Sequence, residues 1–104
     1  MKPEISFHDQ ALADLEEAVD WYKSITPELS ARLLSEIREA KSRLEVFPNS
    51  GSPFHEGTRR ILLKKFPYVL VYLNEPGRIE IIAVMHTSRK PGYWADRLNP
   101  DSYK

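Results

Sequence analysis

The stretch VMHTSRKPGYW, residues 84–94, gathers a histidine, an arginine, a lysine and two aromatic rings at the end of an apolar run. Residues of these types suit two tasks. Cleaving RNA needs a base for the 2′-hydroxyl, cations that stabilise the crowded phosphate, and an acid for the departing oxygen. His86 and Tyr93 could move protons, while Arg89, together with Arg60 and Lys64 from RRILLKK, which the two-residue strand period puts on one side, could hold charge. Gripping another macromolecule needs polar contacts and apolar anchors: Arg60, Lys64, His86 and Arg89 would be the former, Tyr93 and Trp94 the latter. Each also has a plain structural role open to it. His86 continues the face of Ile82 and Val84 as a hydrogen-bonded histidine would, and Tyr93 and Trp94 could clasp an apolar sheet face. Arg59 and Lys65 read as solvent contacts or edge protection.

Other chemistries find little support. His8, His55 and His86 lie far apart with no paired ligand spacing, and the chain has no cysteine, so neither a metal nor a cofactor is expected. No GxSxG turn positions a nucleophile, and none of the four glycines opens a helix as a phosphate loop requires. Asp14, Glu16, Glu17 and Asp20 cluster on one predicted helix, where a solvated acidic face is the simplest reading.

The elements that must position these residues follow from periodicity. EISF (Glu4 to Phe7) alternates as a strand does, and Asp9 is placed to cap a helix. Ala11, Leu12, Leu15, Ala18, Val19 and Tyr22 then recur at helical spacing. Thr26 and Pro27 end that helix and start another, because Thr is a good N-cap and proline suits a first turn that needs no N–H. The second helix carries Leu29, Leu33, Ile37, Ala40, Leu44 and Phe47 as one stripe and stops before Pro48; so short a link makes the pair an antiparallel hairpin. PNSGSPFHEG, residues 48–57, reads as a long loop. Beyond it TRRILLKK, FPYVLVYL and RIEIIAVMH read as strands, the last two joined through a type II turn at Pro76 and Gly77. The expected fold is α+β in the order β-α-α-β-β-β: an N-terminal strand and a helical hairpin packed on a C-terminal antiparallel three-stranded sheet.

The 104 residues make a single domain, 1–104, with a core of useful size. No apolar leader or membrane span is evident and cysteine is absent, which fits a cytoplasmic protein. Net charge is zero, against nonspecific nucleic-acid binding, but residues 1–47 carry six Lys/Arg against ten Asp/Glu and residues 48–104 nine against five. The second half could therefore face an anionic partner.

The predicted sheet is apolar on both faces: Ile61 to Leu63, Tyr68 to Leu73 and Ile81 to Met85 do not alternate with polar residues. One helical hairpin covers one face. Either residues 91–100 fold back over the other, or a second polypeptide does, a partner or a second copy in a homodimer.

Taken in order, ALADLEEAVDWY, LEVFPNSG, RRILLKKFPYVLVY and IEIIAVMHTSRKPGYW resemble the ParE/RelE superfamily of bacterial type II toxins over about residues 4–95. The resemblance implies a RelE-like α+β fold, a plasmid- or chromosome-stabilising toxin, and a cognate antitoxin whose C-terminal segment would cover the second sheet face. Within the superfamily, RelE-like members cut messenger RNA in the ribosomal A site and ParE-like members poison DNA gyrase. This sequence is closer to ParE. Val69 stands where RelE-like chains typically have an arginine, and Thr87 and Ser88 where they tend to carry further arginines. The resemblance thus implies gyrase inhibition by binding, with RNA cleavage by Arg60, Lys64, His86, Arg89 and Tyr93 as the runner-up, and a nontoxic module sharing the fold as a third reading.

Overall fold

A computed structural model describes residues 2–98 of the chain. They run β1 (Glu4–Phe7), α1 (Asp9–Ile25), α2 (Pro27–Val46), β2 (Ser52–Pro53), β3 (Arg59–Leu62), β4 (Tyr68–Glu75) and β5 (Arg78–His86), with 3-10 turns at His55–Gly57 and Ala95–Leu98. Thr26 caps α2 as expected, its side chain accepting from the Leu29 N–H at 3.2 Å. The cap of α1 is His8 and not Asp9: its Nδ1 accepts from the Gln10 N–H at 3.1 Å, which places Asp9 inside the first turn. Gly77 holds a φ of +77°, the conformation its turn between β4 and β5 requires.

The strands form one five-stranded sheet in the order β1-β5-β4-β3-β2. The expected three-stranded antiparallel sheet is therefore incomplete. β1 adds to β5 in parallel, from Glu4 opposite Arg78 to Phe7 opposite Ile81, and β2, within the stretch read as loop, pairs with Arg59 and Arg60. The helical hairpin between β1 and the rest supplies the long crossover that a parallel neighbour needs.

Two apolar layers lie on opposite sides of this sheet. On one, Ala11 and Ala18 of α1 and Leu33, Ile37, Ala40 and Leu44 of α2 pack on Ile61, Leu70, Tyr72, Ile79, Ile81 and Val84. Phe47, read as the end of the α2 stripe, is 63% exposed because the helix has finished before it. On the other side Val69, Val71, Ile82, Ala83 and Met85 are covered by Trp94, with Phe54, Tyr93 and Leu98 packed around it. The second face is thus closed by the chain's own C-terminal segment through Leu98; residues 99–104 and Met1 lie outside the described residues. No second polypeptide is needed to shelter it.

A bulge in β5 decides which residues face which layer. Val71 lies opposite Ala83 but Tyr72 lies opposite Ile81, so Ile82 is one residue too many for β4. The insertion resets the alternation. Ile79 and Ile81 face the helices, and after the bulge Val84 does, while Ile82, Ala83 and Met85 face Trp94. His86 follows Val84 to the helical side, edge-on to Tyr68 with ring centroids 5.1 Å apart, and is parted from Ile82, with which the sequence had grouped it.

Candidate functional site at the free edge of β5

β1 accompanies β5 only as far as Ile81, whose carbonyl accepts from the His8 N–H at 2.9 Å before the chain turns into α1. Beyond that point β5 has β4 on one side and, among the described residues, no strand on the other. Backbone groups on such an edge need other partners. Asp14 of α1 provides one: its carboxylate accepts from the Val84 N–H at 3.1 Å. Arg97, from the C-terminal turn, provides the other by donating Nη1 to the Ile82 carbonyl at 2.9 Å.

Asp14 and Arg97 also bind each other at 2.8 Å, with only 15% and 9% of their side chains exposed, and Arg97 Nε reaches Gln10 Oε1 at 3.1 Å. One ion pair therefore joins α1, the bulged strand and the C-terminal turn. Asp14 is not part of a solvated acidic face. The sequence held a signal for this, since Asp14 stands three residues after Ala11 and four before Ala18, on the flank of the buried stripe.

The ring of Tyr93 lies beside this pair. The Arg89 guanidinium sits 3.6 Å from its centroid and that of Arg97 5.3 Å. Its hydroxyl makes no hydrogen bond among the described residues. Burial, reinforced by the Asp14 charge, pushes the phenol above its usual range, and Arg89 and Arg97 oppose the shift without cancelling it. Tyr68 is pushed up as well, chiefly by burial and then by Tyr22 and Glu17.

Between α1 and the end of β5, Asp14, Glu17, Ala18, Tyr68, Val84, His86 and Arg89 line a cleft of about 80 Å³. His86 Nδ1 accepts from the Ser88 N–H at 3.1 Å, which fixes the ring. The cleft holds groups that exchange protons, but Glu17 has no cationic partner among the described residues and its charge lies in the same space. A phosphate would meet a carboxylate as well as a guanidinium there.

Of the six residues the sequence singled out, the structure brings His86, Arg89 and Tyr93 to one edge and scatters the others. Arg60 and Lys64 do not share a side, because β3 ends at Leu62 and the two-residue period ends with it. Arg60 lies over the Phe54 ring at 4.8 Å, on the second face. Lys64 turns toward α2, 3.8 Å from Glu39, with its backbone N–H and that of Lys65 held by Glu36 at 2.7 and 3.2 Å. Trp94 is fully buried beside Phe54, so its ring serves the chain's own core and is not offered to a partner. Among the described residues no group of His, Asp and Glu is arranged to hold a metal, and no helix is long and apolar enough to cross a membrane.

A family model described as the ParE toxin of the type II toxin-antitoxin system parDE matches residues 5–91. No curated protein matches. Among solved structures, one described as the chromosomal ParDE TA system from P. aeruginosa superposes with a TM-score of 0.72 at 21% identity, covering 84% of this chain and 98% of that one. The second likeness is one of fold.

Proposed function

This chain belongs to the ParE toxin family of type II toxin-antitoxin systems, and from that premise we propose that it inhibits DNA gyrase by binding and is held inactive by a cognate antitoxin. The match over residues 5–91 carries the reading. The residues support binding over RNA cleavage in three ways. Val69, where a RelE-like arginine would stand, is buried in the second core. Arg60 and Lys64 point away from His86 and from each other. The Tyr93 hydroxyl is buried and holds its proton tightly, a poor state for a group that must exchange it.

The antitoxin is not required as a cover, but it has a place to dock. β2 pairs only with Arg59 and Arg60, leaving the rest of β3 without a strand on that side among the described residues, and Leu62 there is 62% exposed next to Lys64 and Lys65. A free strand edge flanked by an apolar side chain and two lysines suits an added strand with acidic residues. RNA cleavage in the ribosome remains the second reading, favoured by the convergence of His86, Arg89 and Tyr93.

One experiment tests both. Purified protein added to gyrase and supercoiled plasmid should raise the yield of cleaved DNA and leave translated messenger RNA intact. Cuts in the A site, slowed about ten-fold or more by Arg89→Ala, would reverse the order of the two readings. Neither effect, with no growth defect on expression, would leave a nontoxic module.

A further inference from the structure

One flank of α1 overlooks the free edge of β5, and Gln10, Asp14, Glu17, Trp21 and Ile25 occupy it at turn-by-turn spacing. Its first half is filled from within the chain, by the Arg97 guanidinium on Gln10 and Asp14. Its second half has no such filling among the described residues. Trp21 is 63% exposed and Ile25, one turn on, 54%. Beside the indole, Glu17, Asp20 and Ser24 form with Trp21 an open depression of about 650 Å³ that Tyr68 and His86 also line. A lone exposed apolar side chain is ordinary, but a tryptophan in a concave surface lined by two more rings, with an exposed isoleucine one turn on, makes a patch of the kind that marks a contact.

Charge selects the occupant. Neither Glu17 nor Asp20 has a cationic partner among the described residues, and both flank the indole. A guanidinium suits that setting, because its plane stacks on the indole while its N–H groups reach the carboxylates. The chain contains its own precedent: Arg97 is held by Asp14 with the Tyr93 ring 5.3 Å from its guanidinium carbon. A phosphate or an acidic segment would be repelled. We infer that the Trp21 flank of α1 docks a basic segment of another protein, with an arginine stacked on Trp21 between Glu17 and Asp20 and an apolar residue against Ile25. This surface shares no residue with the β3 edge offered to an acidic antitoxin, so it stands or falls independently of that reading.

The test uses the full chain and a capped peptide alternating arginine with leucine, followed by tryptophan emission and by calorimetry at low and high salt. Trp94 is fully buried, so long-wavelength emission reports Trp21. Binding should be saturable, shift that emission to the blue and weaken with salt. Trp21→Ala should abolish the shift and weaken binding by about ten-fold or more, and the Glu17→Gln, Asp20→Asn pair should weaken it about ten-fold and flatten the salt dependence. All three side chains belong to exposed residues, so the variants should melt with the parent. The inference is overturned by absence of saturable binding, by equal binding of a peptide with glutamate for arginine, or by variants that bind as the parent does. It is also overturned by self-association in sedimentation that Trp21→Ala removes, which would assign the flank to a second copy.

Discussion

On the helical side of the sheet six residues of α1 and α2, from Ala11 to Leu44, close over the strands, whereas the opposite side is closed by Phe54 and the few residues from Tyr93 to Leu98. Both covers exclude water from the strand residues beneath them, and Ile79, Ile81, Val71 and Ile82 are all fully buried. The covers differ in how their stabilisation is distributed. Two helices of 17 and 20 residues spread it over many side chains, each backed by helical hydrogen bonds. Among the described residues the C-terminal cover is a 3-10 turn anchored by the buried Trp94 ring and by the Asp14–Arg97 pair. Short 3-10 turns have little stability of their own, so this cover depends on those two contacts.

Trp94→Ala should therefore break the comparison most visibly. It should cost about 3–5 kcal/mol, the usual range for a buried tryptophan. More tellingly, it should let a dye such as ANS bind in the absence of denaturant, since Trp94 is the fully buried centre of that cover and Phe54, Tyr93 and Leu98, only partly buried, are packed around it. Leu33→Ala, on the helical side, should cost about 2–4 kcal/mol and bind no dye, because its neighbours still span the face. Equal dye binding by the two variants in parallel with urea unfolding would show that both covers are equally cooperative.

The tether comes next in size. Asp14→Ala leaves the Arg97 guanidinium largely buried without its carboxylate and the Val84 N–H without an acceptor, and should cost about 3 kcal/mol. Arg97→Met should cost somewhat less, since the carboxylate keeps the Val84 N–H. The double variant should fall short of the sum by about 1–3 kcal/mol, the coupling expected of two groups in one network. Additive losses in that cycle would mean that the pair is incidental and that Trp94 alone holds the cover.

The same contrast explains what could be read from the sequence. Elements held by local rules were legible: β1 spans Glu4–Phe7 as alternation required, and the Thr26–Pro27 junction ends one helix and caps the next. Both faces of the sheet are readable as apolar from Ile61 to Leu63, Tyr68 to Leu73 and Ile81 to Met85, and the C-terminal segment is one of the two covers that this pattern allows. What escaped was non-local. The parallel pairing of β1 with β5 joins residues more than seventy positions apart, and Asp14 meets Arg97 across 83. The Ile82 bulge has no glycine or proline to announce it, yet it decides that His86 shares the helical face with Val84. A strict two-residue period puts Arg60 with Lys64 and His86 with Ile82, and that period fails at the bulge and again where β3 ends. Arg60 and Lys64 part for this reason, while His86, Arg89 and Tyr93, close in sequence, stay together.

Two tyrosines, one on each face, give the finest test of the contrast. Tyr72, on the helical side, donates to the Pro48 carbonyl at 2.8 Å and accepts from the Gly51 N–H at 3.0 Å, pinning the connection between α2 and β2. Tyr72→Phe should cost about 1–2 kcal/mol, as both bonds are lost in a buried setting. Tyr93→Phe loses no hydrogen bond among the described residues and should lie within about 0.5 kcal/mol of the parent at neutral pH. Its effect should emerge in alkali. The Tyr93 phenol is raised in the folded chain, mainly by burial, so above about pH 10 the unfolded chain sheds its proton first and is favoured. The stability this group contributes is complete below that pH and is lost as pH rises through the folded value. Tyr68 and Tyr72 are raised in the same direction and keep part of the decline in any single variant. Urea midpoints measured from neutral pH to about pH 11 should thus fall less steeply for Tyr93→Phe than for the parent. Superimposable curves would mean that the C-terminal cover opens before Tyr93 ionises, and that this face is already loose where the helical face is still intact.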